Sequence, residues 1–203
     1  MARKKVDPSH LAEAIMYSEQ LVDTGAWIAK ADELLAAAGI LERDIIEYWS
    51  AISIENRQVL GIPNRKLVQG PYFLLIAYAL ENYFKALLIH RNRTSLQNKL
   101  LSALPDYLKK HDLIELARDV NIAIDVTEEE LLLRLSRNSI WSARYPVPTD
   151  PDALAAMKRL RKFSDGKYYL TAYLGPNDMS RVRGFVDRLR RIVINEIGDL
   201  HDK

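Results

Sequence analysis

Residues 71–90 read PYFLLIAYALENYFKALLIH, and apolar side chains occupy nearly every face of a helix built on this stretch. A helix that is apolar all round lies buried, in a protein core or in a membrane. Glu81, Asn82 and Lys85 interrupt the apolar run, which leaves it too short and too polar to span a bilayer. We therefore predict that this stretch is the central, buried helix of a globular fold.

Helical periodicity continues on both sides of this stretch, while strand-like alternation occurs only in short pieces. We expect a break in the first helix at Thr24-Gly25 and its end at Gly39, because glycine disfavours helix interiors. Outside the central helix, the predicted helices span 8–38, 41–57, 112–120, 127–141, 152–162 and 178–200, with weaker helical character at 96–104. Loops are predicted at 60–66, at the proline-rich 144–151 and at 164–177.

Long and short helices joined by compact loops predict an all-α fold, an up-and-down helical bundle of four to five core helices. Residues 1–66 precede the central helix and are predicted to form an N-terminal helical extension, packed on a bundle formed by residues 67–203. Two helix starts carry cap signals. Thr127 and Glu130 match a capping box, and Asp112 is suited to cap the helix that follows it.

The composition is that of an intracellular globular protein: of 203 residues, 48% are hydrophobic and 28% are charged. Cysteine is absent, which excludes disulfides and thiolate sites. The four histidines lack zinc-site spacing, and P-loop, GxGxxG and GxSxG motifs do not occur, so neither a metal nor a cofactor is predicted. The charged N-terminal residues lack an apolar stretch of signal-peptide length, and we expect a cytoplasmic location.

The net charge is only +2, but basic residues are concentrated toward the C-terminus. Between residues 158 and 191 there are ten Lys or Arg residues against three acids. Such a segment is either a solvated helix face or a stripe that contacts phosphates, since phosphate contacts need clustered cations. The sequence leaves both interpretations open.

Polar residues on and near the central helix are the first candidates for a site. Glu81 and Lys85 lie four residues apart and can pair on one face of the helix. A partly exposed pair would be structural, whereas a buried pair indicates a specificity device or part of a site. His111 lies just before the Asp112 cap, where it either orients a phosphate or belongs to a surface loop.

A second group of candidates lies at the end of the helix predicted at 127–141. Arg137 and Arg144 are seven residues apart, about two helical turns, and so project to a similar side. Guanidinium groups bind phosphates through paired hydrogen bonds, and Trp141 and Tyr145 are available for base stacking. Alternatively, Arg137 complements the helix dipole and the two aromatic residues belong to the core.

In their order and spacing, these stretches resemble the HEPN (higher eukaryotes and prokaryotes nucleotide-binding) superfamily. The resemblance extends over about residues 68–200 and rests on AYALENYFKALL (77–88), KHDLIELA (110–117), LLLRLSRN (131–138) and ARYP (143–146). It implies an up-and-down bundle of four or five helices, often dimeric. Members are metal-independent RNA endonucleases or noncatalytic RNA- or nucleotide-binding modules, and several bacterial members pair with a small nucleotidyltransferase in a toxin–antitoxin arrangement.

Catalytic members of that superfamily carry an Arg, often followed by a polar residue such as Asn, and then a His after four to six intervening residues. Arg137-Asn138 match the opening of this signature, but Ser142, Ala143 and Arg144 occupy the positions where His is expected. Cleavage of RNA by its own 2′-hydroxyl without metal needs a group that moves a proton near neutral pH, usually His. We therefore expect a binding module without catalysis.

The sequence supports three functional hypotheses. The first is a noncatalytic homodimer that binds an RNA or nucleotide phosphate through Glu81, Lys85, His111, Arg137, Asn138, Arg144 and Tyr145. The second is a divergent metal-independent RNA endonuclease, in which Arg137 stabilises the scissile phosphate and His111 moves the proton; it requires the fold to bring the two together. The third is a protein-interaction module whose polar residues are structural.

Overall fold

A computed structural model describes residues 8–51, 68–97, 103–142, 151, 160–162, 166–170 and 174–198. Within these residues the regular secondary structure is helical apart from one short hairpin, which confirms the predicted all-α fold. In chain order the elements are α1 (Pro8–Val22), α2 (Thr24–Ala51), α3 (Gln69–Arg91), α4 (Arg93–Gln97), a 3₁₀ turn (Asp106–Leu108), α5 (Leu113–Asp119), α6 (Val126–Arg137), a π-helical turn (Asn138–Ser142), β1 (Leu160–Lys162), β2 (Tyr168–Leu170) and α7 (Pro176–Ile197).

Helix α3 lies at the centre of the bundle, as its composition predicts, and α2, α5, α6 and α7 all pack against it. Its residues Tyr83, Phe84 and Leu87 have no exposed surface. Contrary to the prediction, α3 is long and apolar enough to cross a bilayer by length and composition alone. Its most apolar window is, however, 78% buried inside the fold, as in the core helix of a soluble protein. Burying each large apolar side chain contributes roughly 1.5–3 kcal/mol, so α3 makes a large contribution to the stability of the fold.

The N-terminal helices share the core with α3. Leu21 of α1 is buried, and Ile28, Ala31, Ala38 and Ile45 are buried on one stripe of α2. Helix α2 packs along α3 through this stripe. The division into an extension at 1–66 and a bundle at 67–203 stays a prediction, and the loop predicted at 60–66 lies outside the described residues.

Gly39 does not end a helix, contrary to the prediction. Helix α2 runs through it to Ala51. A glycine stops a helix when it adopts a left-handed conformation. Gly39 does not adopt one, and it lies between the buried residues Ala38 and Ile45 of the same helix. The predicted break near Thr24-Gly25 is confirmed. There the Asp23 carboxylate accepts hydrogen bonds from the backbone amides of Gly25 and Ala26, at 2.9 and 3.3 Å.

The cap of α5 is confirmed, and the cap of α6 is displaced from its prediction. Asp112 accepts hydrogen bonds from the backbone amides of Ile114 and Glu115, at 2.9 and 3.1 Å. For α6 the capping box is formed by Asp125 and Glu128, two residues before the predicted pair. Thr127 fails as the cap because its amide and its hydroxyl both donate to Asp125, each at 2.7 Å.

The segment after α6 differs most from the prediction. The helix widens into a π-helical turn over its last five residues, Asn138–Ser142. Strands β1 and β2 then pair antiparallel, with Leu160 opposite Leu170, where the sequence predicts the end of a helix and part of a loop. The dipeptide Asp165-Gly166 is a sequence signal typical of hairpin connections, and Gly166, which lies between the two strands, has a left-handed φ of 78°.

The remaining helices lie close to their predicted positions. Helix α7 begins at Pro176, where proline suits the first turn, and its buried stripe consists of Val182, Phe185, Val186, Leu189 and Val193. Of the weak helix predicted at 96–104, Leu96 and Gln97 belong to the short α4, residues 98–102 lie outside the described part of the chain, and residues 103–104 are not helical. Residues 152–159 of the helix predicted at 152–162 lie outside the described part of the chain.

Candidate functional site

A buried ion pair on α3 forms the base of the candidate site. Lys85 Nζ lies 2.6 Å from Glu81 Oε1, and the two side chains are 5% and 11% exposed. The partly exposed pair considered from the sequence is therefore wrong, and the buried alternative is observed. Burying both charges costs several kcal/mol, which Coulomb attraction offsets only when further hydrogen bonds satisfy the remaining lone pairs.

His111 supplies that further hydrogen bond to Glu81. Its Nδ1 lies 3.0 Å from both carboxylate oxygens, while 62% of the imidazole side chain remains exposed. The loop that carries it is held at both ends. Lys110 pairs with Asp119 at 2.8 Å, and the backbone amide of Leu113 donates to Ser136 Oγ at 2.9 Å.

The Glu81–His111 contact fixes how the imidazole can react. A carboxylate that accepts a hydrogen bond from Nδ1 selects the tautomer with the proton on Nδ1 and orients the ring. Nε2 is then the nitrogen that can accept a proton from a ligand or, when the ring is protonated, donate a hydrogen bond to an anion. The pair can thus serve as an anion-binding donor or as a general base.

A small cavity adjoins His111. Its volume is about 200 Å³, and Tyr78, Ser139 and Ile140 line it together with the imidazole. Tyr78 comes from α3, while Ser139 and Ile140 come from the π-helical turn, so the widened turn after α6 shapes one wall. The volume lies below the range of about 300–1,000 Å³ typical of drug-sized ligand sites, and suits a small group such as a phosphate.

The structure brings together only some of the residues predicted for the site. Glu81, Lys85 and His111 converge, although the Lys85 ammonium is buried and not presented at the surface. Arg137 is the half-buried last residue of α6, two residues before Ser139 of the cavity. Asn138 is buried, and its side-chain amide donates to the Gly70 carbonyl at 3.4 Å, which ties the π-helical turn to the start of α3.

Three of the sequence candidates cannot be placed relative to this cavity. Arg144 and Tyr145 lie outside the described residues, and so does the side chain of Trp141. The pairing of Arg137 with Arg144 across two helical turns therefore stays a prediction.

The basic segment near the C-terminus has a structural role where α7 carries it. Four of the five arginines on α7 are paired with carboxylates of the neighbouring helices, whereas the exposed Arg191 donates to the backbone carbonyl of Asp187. The four paired arginines form neither an unpaired phosphate stripe nor a merely solvated face. The pairs join Arg181 to Glu130, Arg183 to Glu42, Arg188 to Glu128 and Arg190 to Asp32. They tie α7 to α2 and α6.

A second buried cluster of charges, not predicted from the sequence, joins α6 to α7. Arg134 of α6 makes two hydrogen bonds of 2.7 Å to Asp178 of α7 and lies 2.7 Å from Glu130. Burial raises the pKa of Asp178, but the hydrogen bonds from Arg134 and from the Gly175 amide outweigh it and hold the pKa below its usual range. The four-residue spacing of Glu130 and Arg134 is the one signal in the sequence, and it does not reveal Asp178.

Within the described part of the chain, no group of three or more His, Asp or Glu side chains converges on a common metal position. No protein-family model, curated protein or solved structure matches the chain. The HEPN-type resemblance therefore stays a prediction.

Proposed function

We propose that this protein is a HEPN-like module that binds an RNA or nucleotide phosphate without cleaving it, at the cavity beside His111. One observation carries the proposal: a buried carboxylate, Glu81, holds an exposed imidazole at the wall of a cavity of about 200 Å³. A histidine on an unconstrained surface loop would not be oriented in this way.

The charges of the cluster suit an anion. Glu81 alone would repel a phosphate, but Lys85 lies 2.6 Å away and neutralises it. The cluster is then neutral with a neutral imidazole and carries one positive charge when His111 is protonated. Lys85 thus contributes through Glu81 and not by direct contact.

The proposal extends to features that the resemblance implies. Arg137, which is close to the cavity in sequence, and Arg144 are candidates for further phosphate contacts, and Tyr145 for base stacking. A cytoplasmic location and a homodimer, with a nucleotidyltransferase as a candidate partner, belong to the same proposal.

A native gel of end-labelled single-stranded RNA, run in EDTA, tests the proposal. The wild type is expected to retard intact RNA, and His111→Ala to weaken that retardation at least about tenfold, a loss of about 1.4 kcal/mol that is typical of one charge-assisted hydrogen bond. His90→Ala is the matched control, since this histidine of α3 lines neither the cavity nor the Glu81 cluster. Equal retardation by the His111 and His90 variants would place the binding elsewhere.

A metal-independent RNA endonuclease is the second candidate function, and the Glu81–His111 pair favours it. An imidazole oriented by a carboxylate is a common general base. His111 Nε2 would take the proton of a ribose 2′-hydroxyl, whose oxygen attacks the adjacent phosphorus. The bond to the 5′-oxygen then breaks, that oxygen takes the proton from the imidazolium of His111, and a 2′,3′-cyclic phosphate remains. If the same gel showed fragments with this terminus, and His111→Ala abolished them, the protein would be an endonuclease and not a noncatalytic binding module.

A further inference from the structure

A second groove lies where α1, α2 and α3 meet, and its volume is about 300 Å³. Trp27 of α2 and Tyr17 of α1 supply aromatic surface, while Gln20 and Asn82 supply amides. Trp27 packs against the core, and its indole nitrogen donates to the Leu21 carbonyl at 3.0 Å. The ring is therefore fixed across the break between α1 and α2.

Asn82 has an unused hydrogen-bonding atom at this groove. Its amide nitrogen donates to the Tyr78 carbonyl at 2.7 Å, and among the described residues its oxygen Oδ1 has no partner. The side chain of Gln20 likewise makes no hydrogen bond within the described part of the chain. Aromatic surface beside amides that can both donate and accept suits a planar nitrogen heterocycle.

The groove and the His111 cavity are neighbours along α3. Asn82 lines the groove and Tyr78 lines the cavity, and the two residues are four apart. This spacing places them on the same side of the helix, with a rise of about 6 Å between them. Within one nucleotide, only the ribose separates the base from its phosphate, so one ligand can reach both places.

We infer that the Trp27–Asn82 groove binds the base of the nucleotide whose phosphate lies in the His111 cavity. The ligand class is then a mononucleotide or one unstacked nucleotide of a single-stranded RNA. Double-stranded RNA is excluded, because its bases are stacked and paired. This inference rests on the proposed phosphate site for its full ligand, but the groove itself can be tested separately.

Equilibrium dialysis with three probes separates the two sites: a nucleoside (adenosine or uridine), its 5′-monophosphate, and inorganic phosphate. Asn82→Leu removes the amide oxygen and is expected to weaken the binding of the nucleoside and of the nucleotide about tenfold, equivalent to about 1.4 kcal/mol. The affinity for inorganic phosphate should stay unchanged. His111→Ala is expected to lower the affinity for phosphate and for the nucleotide and to leave the affinity for the nucleoside unchanged. Asn92→Leu is the matched control, since Asn92 makes the same bond to a carbonyl four residues earlier, Leu88, at 2.8 Å, but lines neither site.

Each failure has its own pattern. The base site is overturned if Asn82→Leu and Asn92→Leu change the nucleoside and nucleotide affinities equally. If phosphate binding still depends on His111 in that case, the proposed function stays in place. Nucleoside binding that depends on Asn82, without any phosphate binding, would support the groove and overturn the phosphate site. No binding of any nucleoside or nucleotide overturns the inference.

Discussion

Glu81 is the residue on which the site depends, because it neutralises Lys85 and orients His111 at the same time. Its side chain is 11% exposed, and its two oxygens are shared between an ammonium and an imidazole. Removing one partner of a buried pair is more costly than removing both, since the remaining charge is left without compensation. The stability of the fold and the orientation of His111 are therefore coupled through one carboxylate.

Glu81→Gln is expected to lower the free energy of unfolding by about 3 kcal/mol, because it leaves the Lys85 ammonium buried without a counter-charge. Urea unfolding followed by circular dichroism measures the change. The double substitution of Glu81 and Lys85 by Leu and Met, which removes both charges, is expected to recover most of the loss.

Glu33→Gln provides the matched control for this prediction. Glu33 pairs with Lys30 on α2, but the two side chains are 68% and 54% exposed, and exposed pairs contribute at most about 1 kcal/mol. If Glu81→Gln cost no more than Glu33→Gln, the Glu81–Lys85 pair would not be buried as the structure has it.

At the scale of an element, α2 is a continuous helix of 28 residues with a glycine, Gly39, in its interior. Glycine costs a helix about 1 kcal/mol relative to alanine. A Cβ atom built at Gly39 would have no atom within 4 Å outside its own helix. The position can therefore accept a side chain without rearrangement.

Gly39→Ala is expected to stabilise the protein by about 1 kcal/mol, which corresponds to a rise of a few degrees in the thermal midpoint. Gly198→Ala is the opposing control: Gly198 follows α7 with a φ of 101°, which side chains rarely adopt, and its substitution is expected to destabilise. A destabilising Gly39→Ala would indicate that the helix ends at Gly39, as the sequence alone suggests.

Helix α3 shows what a helical period can and cannot reveal in advance. The four-residue spacings of Glu81 with Lys85 and of Tyr78 with Asn82 can be read from the sequence. The contact between His111 and the Glu81 carboxylate, 30 residues earlier, cannot be predicted from the sequence. It depends on how α5 packs on α3. The stop predicted at Gly39 is wrong because core packing on both sides outweighs the weak helix propensity of glycine. The cap predicted at Thr127 is wrong because a nearby acid, Asp125, caps the helix instead.

At the scale of the whole molecule, arginine–carboxylate pairs attach α7 to the other helices. Arg134–Asp178 joins α6 to α7, Asp32–Arg190 joins α2 to α7, and Arg91–Glu196 joins α3 to α7. The hydrogen bonds from Arg91 hold the pKa of Glu196 below its usual range, as those from Arg134 do for Asp178 against the opposing effect of burial.

Stability is therefore expected to fall in acid. A carboxyl whose pKa is lower in the folded state stabilises the protein above its unfolded pKa, about 4 for Asp and Glu. This contribution is lost as the pH falls through the folded pKa. Urea midpoints measured from about pH 6 down to about pH 2 should decline mainly below about pH 4.

Asp178→Asn is expected to flatten that decline, because the variant has no proton to gain at this position. Asp187→Asn, at an exposed residue of the same helix, should keep the slope of the wild type. Identical slopes for the two variants would mean that the Arg134–Asp178 pair contributes nothing to the acid dependence.

The most direct test of the phosphate site is nuclear magnetic resonance of the histidine side-chain nitrogens during titration with inorganic phosphate and then with a 5′-mononucleotide. The free protein is expected to show the Nδ1-protonated tautomer for His111, as its contact with Glu81 requires. On titration, the His111 signals should shift in a saturable way while those of His90 stay in place. Binding that leaves the His111 signals unchanged, or no binding of either ligand, would contradict the assignment of this cavity as a phosphate site.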